Sequence, residues 1–242
     1  MKVLFSLFYE KIREPKIEKR LSLLISNRSV LVFDTTPSWE DYFAGLRGHE
    51  DLIRQKLLSN LAPQYQAILD QQPTPIIGVH IRCSDFRELQ PGELPGGVCN
   101  TRTPIDDYIL MVERVREIAG ELLPVTVFTD GSDEEVRGLL DLPNVDMARP
   151  NPDVVDLILL SYSKCIIVSA GSTFSYWAAF LSEAAVVTHP GHPVRIRSDS
   201  LRSRFFEGSL QDLSLDYPMQ IQLVARNFGD CNEKNCQQPS IP

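Results

Sequence analysis

The run Ile76-Ile77-Gly78-Val79-His80-Ile81-Arg82-Cys83-Ser84-Asp85 sets the fold class. Five apolar or small residues in the first seven positions read as a strand over Ile76–Arg82, buried on both faces, which is the mark of a parallel sheet covered by helices. Outward from it the same grammar repeats. Further apolar runs predict strands at Val30–Phe33, Val125–Thr129, Val145–Ala148, Cys165–Ser169 and Ala184–Thr188, with a last one at Gln220–Val224. Between them amphipathic stretches predict helices over Leu52–Asn60, Gln64–Asp70, Pro104–Ala119, Asp133–Leu140, Pro152–Lys164 and Thr173–Ser182. Strands alternating with helices define an α/β domain with a parallel sheet. Several boundaries carry their own chemistry. Asn151 before Pro152 reads as an N-cap with proline at the first helical position, Ser132 with Glu135 as a capping box, and Gly120 as a helix stop.

The chain has 242 residues, 43% hydrophobic and 23% charged, which is ordinary globular composition. A chain of this length buries roughly 70–75% of the surface its unfolded form exposes and needs no staples. No run approaches the ~18 apolar residues of a membrane span. The opening Met1–Tyr9 is followed at once by charge and by no small-residue cleavage site, a poor leader. The net charge of −8 excludes a general nucleic-acid or anionic-membrane binder. An anionic ligand therefore needs a local arginine cluster or backbone N–H groups. Cys83, Cys99, Cys165, Cys231 and Cys236 form no CxxC pair and no Cys/His grid, so a zinc site is not expected. Cys165 reads as a buried small hydrophobe, Cys231 and Cys236 as an open pairing question, and the compartment as reducing, hence cytoplasmic. Residues 1–72 read as a helical, charged N-terminal portion, with five basic and three acidic side chains in Glu10–Arg20 forming a solvated helix or connector. Residues 73–225 form the sheet domain and 226–242 a polar tail.

In open parallel sheets ligands sit beyond the carboxyl ends of the strands, and three strand ends here carry polar groups. At the first, alternation puts Gly78, His80 and Arg82 on one face, where Arg82 offers a bidentate fork to a phosphate or else pairs with Asp85. At the second, Val127-Phe128-Thr129-Asp130-Gly131-Ser132, Asp130 accepts from a base or ribose, or simply forms the turn. At the third, Ile167-Val168-Ser169-Ala170-Gly171-Ser172-Thr173, the strand ends in small residues that open a helix. The N–H groups and positive dipole end of that helix suit a phosphate beside the Ser172 and Thr173 hydroxyls, or Ser172 is an ordinary N-cap. Together with Arg82 this favours a nucleoside-diphosphate site. GxGxxG, the P-loop pattern, GxSxG and Asp-x-Asp are all absent, which removes a standard dinucleotide fold, an NTPase, a serine hydrolase and a metal-bridged diphosphate. His189 and His192 bracket Pro190-Gly191 and read as turn residues rather than ligands. In Val194–Arg204, Arg195, Arg197, Arg202 and Arg204 either pair with the acidic surface, or Arg195 and Arg197 fold back over the cleft as further cations.

These motifs resemble a family. Val79-His80-Ile81-Arg82-Cys83-Ser84-Asp85 resembles the H-x-R-R-x-D motif of the α-1,2-fucosyltransferases and of the related protein O-fucosyltransferases and α-1,6-fucosyltransferases. Val127-Phe128-Thr129-Asp130 resembles their F-S-D strand end. Asp156-Leu157-Ile158-Leu159-Leu160-Ser161 and Ser172-Thr173-Phe174-Ser175-Tyr176-Trp177 resemble their next block, and Trp39, Tyr42-Phe43 and Ile53-Arg54 match more weakly. The likeness runs in order from about residue 30 to 190. It implies a GT-B-like fold whose Rossmann-like parallel sheet holds the nucleotide sugar, and an inverting, metal-independent glycosyltransferase. This enzyme moves fucose from GDP-fucose to a glycan hydroxyl, with protein O-fucosylation or non-catalytic nucleotide-sugar binding as alternatives. No cofactor beyond the donor substrate GDP-fucose is implied, and the partners are a nucleotide sugar, a glycan acceptor and a partner chain or second copy. By the resemblance Arg82 is catalytic and grips the diphosphate, assisted by His80. Asp85, Asp130, Ser172, Thr173 and Phe174 line the donor pocket, and Asp156 is a supporting carboxylate. Two features depart from the pattern: Cys83 stands where the second arginine is expected, leaving Arg87 or Arg102 to replace it, and the N-terminal G-x-L-G-N-Q motif is absent.

Overall fold

The computed structural model describes residues 10–13, 29–32, 41–95 and 100–211. The chain divides into two compact units, Met1–Tyr42 and Phe43–Pro242. In the first, β1 (Glu10–Arg13) pairs in parallel with β2 (Ser29–Val32). Glu10–Arg13 is thus a strand and not part of a charged helix. The β-branched Ile12 favours extended backbone, and Pro15 disfavours helical geometry at the residue before it. The expected strand at Gln220–Val224, the polar tail, and Trp39, Cys99, Cys231 and Cys236 lie outside the described residues.

The second unit opens with helices α1 (Glu50–Ser59) and α2 (Pro63–Leu69), so these two belong with the sheet. Then follow β3 (Ile77–Ile81), α3 (Ile105–Ala119), β4 (Val125–Thr129), α4 (Arg137–Leu140), β5 (Val145–Met147), α5 (Asp153–Tyr162), β6 (Cys165–Ile167), α6 (Thr173–Phe180), β7 (Ala185–Val187), α7 (Asp199–Arg202) and β8 (Glu207–Gly208). The six strands β3–β8 form one sheet in the order β5-β4-β3-β6-β7-β8, every pair parallel. Starting from β3 the chain builds outward to β5, then crosses back to β6 and builds the other way. That is the doubly wound Rossmann order, and its reversal falls between β3 and β6.

Period-two alternation decides what covers each face of β3. Ile77, Val79 and Ile81 join the core with Tyr108, Met111, Val112 and Val115 of α3. Gly78 and His80 face the other layer, as the alternation predicts. A Cβ on Gly78 would collide with Ser163 Oγ and lie 2.7 Å from Leu160 Cδ1, so only glycine lets α5 approach this closely. On that layer α5 buries Val155, Ile158, Leu159 and Leu160 and α6 buries Tyr176, Ala178, Ala179 and Phe180. Helix α3 ends at Gly120, which takes the left-handed conformation (φ +69°) expected of a helix stop.

Candidate active site at the strand-order reversal

The carboxyl ends of β3, β4 and β6 bring the three polar strand ends together. Arg82 follows β3. Its backbone N–H donates to Ser169 Oγ, 3.3 Å away at the end of β6, which ties the two strands on either side of the reversal. Its guanidinium Nε donates to Asp85 Oδ1 at 2.7 Å and its Nη1 pairs with Asp130 Oδ2 at 2.8 Å. The Asp85 contact raises the guanidinium pKa, and Arg82 in turn holds the Asp85 carboxyl below its usual range. Nη2 makes no hydrogen bond or ion pair among the described residues and remains available.

Asp130 is committed to the protein. Oδ1 accepts the Cys83 N–H at 2.7 Å, and Oδ2 accepts the Ser84 hydroxyl at 2.6 Å besides Arg82. Burial pushes this carboxyl up, but the Ser84 and Cys83 donors and Arg82 outweigh burial and hold it low. Of the two readings of Asp130, base or ribose acceptor and turn former, these bonds describe the turn former: both oxygens buttress the Arg82 turn. The capping box forms as expected, with Ser132 N–H donating to Glu135 Oε2 at 2.9 Å and Glu135 N–H to Ser132 Oγ at 3.4 Å.

His80 is buried and stacked on Phe174 of α6, ring centroids 4.9 Å apart at 27°. Its Nδ1 has no hydrogen-bond partner. Burial drives its pKa down to about 3, against the pull of Asp130 and with help from Arg82, so the ring is neutral at pH 7. Phe174 therefore acts as the lid of His80. Ser172 is the N-cap of α6 but makes no capping hydrogen bond with its side chain. The N–H groups of Thr173, Phe174 and Ser175 have no hydrogen-bond partner among the described residues. The preceding turn is held from elsewhere: Gly171 N–H donates to Tyr176 Oη at 2.6 Å, Ala170 N–H to Thr103 Oγ1 at 3.3 Å, and Ser169 N–H to Ser175 Oγ at 3.2 Å. The result is a fixed turn, a positive helix end, a buried imidazole and one guanidinium. Of these, the partnerless N–H groups and positive dipole end of α6 and the guanidinium suit an anion, whereas the neutral His80 ring is enclosed under Phe174.

Asp156 lies apart from this cluster. Its Oδ1 accepts Asn151 Nδ2 at 2.8 Å, and Asn151 is bonded to Gln72 in the segment before β3. Burial raises its pKa and the Asn151 contact opposes the rise. Asn151 is accordingly a tether rather than the helix cap, which falls on Pro152. The roles of Thr103 and Ser169 in fixing these turns were missed in the sequence because their partners Ala170 and Arg82 are remote in the chain; the Tyr176 bond to Gly171 is local, but nothing in the sequence points its hydroxyl at that N–H.

Neither arginine offered as a replacement for Cys83 faces the anion site. Arg87 Nη1 and Nη2 grip Glu93 at 2.7 and 2.6 Å. Arg102 Nε donates to the Cys83 and Phe86 carbonyls at 3.1 and 2.7 Å, and its Nη1 to Glu135 at 2.8 Å. Cys83 itself is buried against Gly131, where a Cβ would sit 2.7 Å from its Sγ. The position points into the turn packing.

The arginine-rich segment is likewise corrected. Arg197 is fully buried: Nε bonds Glu207 Oε2 at 3.0 Å, Nη1 the Ala184 carbonyl at 2.8 Å and Nη2 the Phe206 carbonyl at 2.7 Å. Ala184 and Phe206 precede β7 and β8, so Arg197 sits at the amino ends of the strands, opposite the site. Arg195 pairs with Asp199 at 3.0 Å and Arg202 with Glu207 at 3.3 Å. A cavity of about 710 Å³ between α3 and the ends of β7 and β8, lined by Asp107, Met111, His189 and Leu210 among others, carries none of the anion-site groups. Among the described residues no cluster of three or more His, Cys, Asp or Glu side chains could hold a metal ion, and no helix is long and apolar enough to cross a membrane.

The fold is thus a doubly wound α/β domain with a candidate site at its strand-order reversal. No family model and no curated protein matches the sequence. Among solved structures the chain is similar to NodZ alpha-1,6-fucosyltransferase soaked with GDP-fucose, at 18% identity over 53% of this chain and 45% of that one, TM-score 0.32. It is similar to POFUT1 in complex with GDP at 17% identity over 72% and 57%, TM-score 0.37, and to the wall teichoic acid polymerase TagF (H548A) at 14% over 74% and 49%, TM-score 0.31. The chain spans about half the length of these structures. A likeness at this level carries no argument about chemistry.

Proposed function

We propose that the chain binds a nucleoside diphosphate sugar, GDP-fucose, and forms the donor half of an inverting, metal-independent fucosyltransferase that modifies a glycan hydroxyl. One observation carries the reading: the N–H groups that open α6 have no partner among the described residues, and they follow β6, whose Ser169 hydroxyl accepts the Arg82 N–H across the strand-order reversal. The sugar identity rests on the motif resemblance around Arg82, Asp130 and Ser172–Trp177. In the reaction the acceptor oxygen forms a bond to the anomeric carbon while the bond to the diphosphate oxygen breaks, and GDP leaves with that electron pair. Arg82 and the α6 N–H groups stabilise the charge developing on the departing diphosphate. Asp85 and Asp130 fix the guanidinium plane, which prepays the orientation of its fork. The acceptor proton passes to a base.

The two carboxylates on Arg82 also favour a second reading, since they offset its charge and weaken its hold on a developing anion. On that reading the protein binds the nucleotide sugar without turnover. Calorimetry with GDP, UDP and ADP, with and without EDTA, tests the first claim. GDP is expected to bind most tightly and EDTA to change nothing. Equal affinity for all three, or binding abolished by EDTA, overturns it. Release of GDP from GDP-fucose with an oligosaccharide acceptor separates enzyme from binder.

A further inference from the structure

The two histidines around Pro190-Gly191 do different work. His189 uses both ring nitrogens. Its Nδ1 accepts the Gly191 N–H at 3.0 Å, which leaves the ring proton on Nε2, 3.1 Å from Asp107 Oδ2 on α3. The His192 N–H donates to the His189 carbonyl at 3.0 Å. A Cβ on Gly191 would lie 3.1 Å from His189 Cε1 and 3.3 Å from Leu94 Cδ2, so the turn is wedged between His189 and the loop that follows β3. This is a rigid mount, and the side chain it presents is His192.

The His192 ring lies parallel to Tyr176, at 10° with centroids 6.5 Å apart. Tyr176 is the residue whose hydroxyl accepts the Gly171 N–H, so the imidazole stands beside the turn that opens α6. It is half-buried, and neither ring nitrogen makes a hydrogen bond among the described residues. Burial, helped by His189, holds its pKa below the ordinary value. An uncharged imidazole presents one donor and one acceptor, the complement of a hydroxyl and a poor complement of a phosphate. Strands are spaced about 4.8 Å apart. β7 lies beside β6 in the sheet, so a ring attached to a diphosphate held at the end of β6 is within reach of the segment after β7 that carries His192.

Resting on the nucleotide-sugar reading above, we propose that His192 is a specificity residue of the donor site, hydrogen-bonding a ring hydroxyl of the bound nucleotide sugar. Ribose and hexose share this chemistry, and the ligands tell them apart. Wild type, His192→Ala, His192→Gln and His192→Phe are titrated calorimetrically with inorganic pyrophosphate, GDP and GDP-fucose. His192→Phe keeps the stack on Tyr176 and controls for folding through its thermal midpoint. His192→Ala and His192→Phe are expected to weaken GDP-fucose by about 3–10-fold, the worth of one neutral hydrogen bond, while pyrophosphate binding is unchanged and His192→Gln restores part of the loss. A loss already present with GDP assigns the hydroxyl to ribose, and a loss confined to GDP-fucose assigns it to the hexose. Unchanged GDP-fucose affinity in His192→Ala overturns the proposal, as does an equal loss for pyrophosphate. A wild type that binds none of the three overturns the donor-site reading itself.

Discussion

Arg197→Met separates what holds this fold together from what binds its ligand. The substitution keeps the stem length of Arg197 and removes the charge. Glu207, its side chain 1% exposed, then loses the Arg197 guanidinium from the interior. Breaking one partner of a buried pair costs about 3–5 kcal/mol. Three features place this case at the lower end. Glu207 keeps the backbone N–H groups of Ile196 and Arg197 at 2.9 and 3.1 Å, Arg202 Nε remains 3.3 Å away, and the Phe206 carbonyl still accepts the Val186 N–H. The Ala184 carbonyl does lose its guanidinium donor. The expected loss is about 3 kcal/mol, or roughly 6–12 °C in Tm at 2–4 °C per kcal/mol for a domain of this size. Urea unfolding at constant m-value reads the loss directly, and adding Glu207→Gln should recover part of it. GDP affinity below the melting range should stay within about twofold of wild type, because Arg197 lies at the amino ends of the strands. A loss under about 1 kcal/mol, or a selective loss of GDP binding in a stable protein, refutes the assignment of this arginine to structure.

Arg82→Ala should lower turnover by about 10²–10³-fold with the fold intact, and Arg82→Lys should restore little, because a point charge cannot reproduce the fork; an active Arg82→Ala protein contradicts the site. His80 predicts a pH effect on stability. Its folded pKa of about 3 lies below the ordinary 6.5, so its contribution is complete above pH 6.5 and is lost as pH falls toward 3. Between pH 7 and 5 that amounts to roughly 2 kcal/mol. Urea melts of wild type and His80→Leu should differ in slope by this amount, and equal slopes would show that the imidazole is not buried uncharged.

The parts legible in the sequence were those written locally. Continuous apolar runs gave β3, β4, β6 and β7 to within one or two residues, and alternation placed Gly78 and His80 on the face that packs against α5 and α6. The Ser132–Glu135 box was readable because its partners are three residues apart. What failed was non-local. The two readings of Asp130 stayed open because its partners Cys83 and Ser84 lie 47 and 46 residues away. Arg197 looked solvent-facing because nothing local shows that Glu207, Ala184 and Phe206 enclose it. β8 escaped notice because it is two residues long, and β1 because its charge suggested a solvated helix.

A structure of the chain with GDP shows whether a diphosphate sits at the β3/β6 reversal. Diphosphate oxygens are expected within hydrogen-bond distance of Arg82 Nη2 and of the N–H groups of Thr173, Phe174 and Ser175, with no metal between them. A diphosphate bound elsewhere on the domain, or one bridged to the protein by a divalent cation, would contradict that placement.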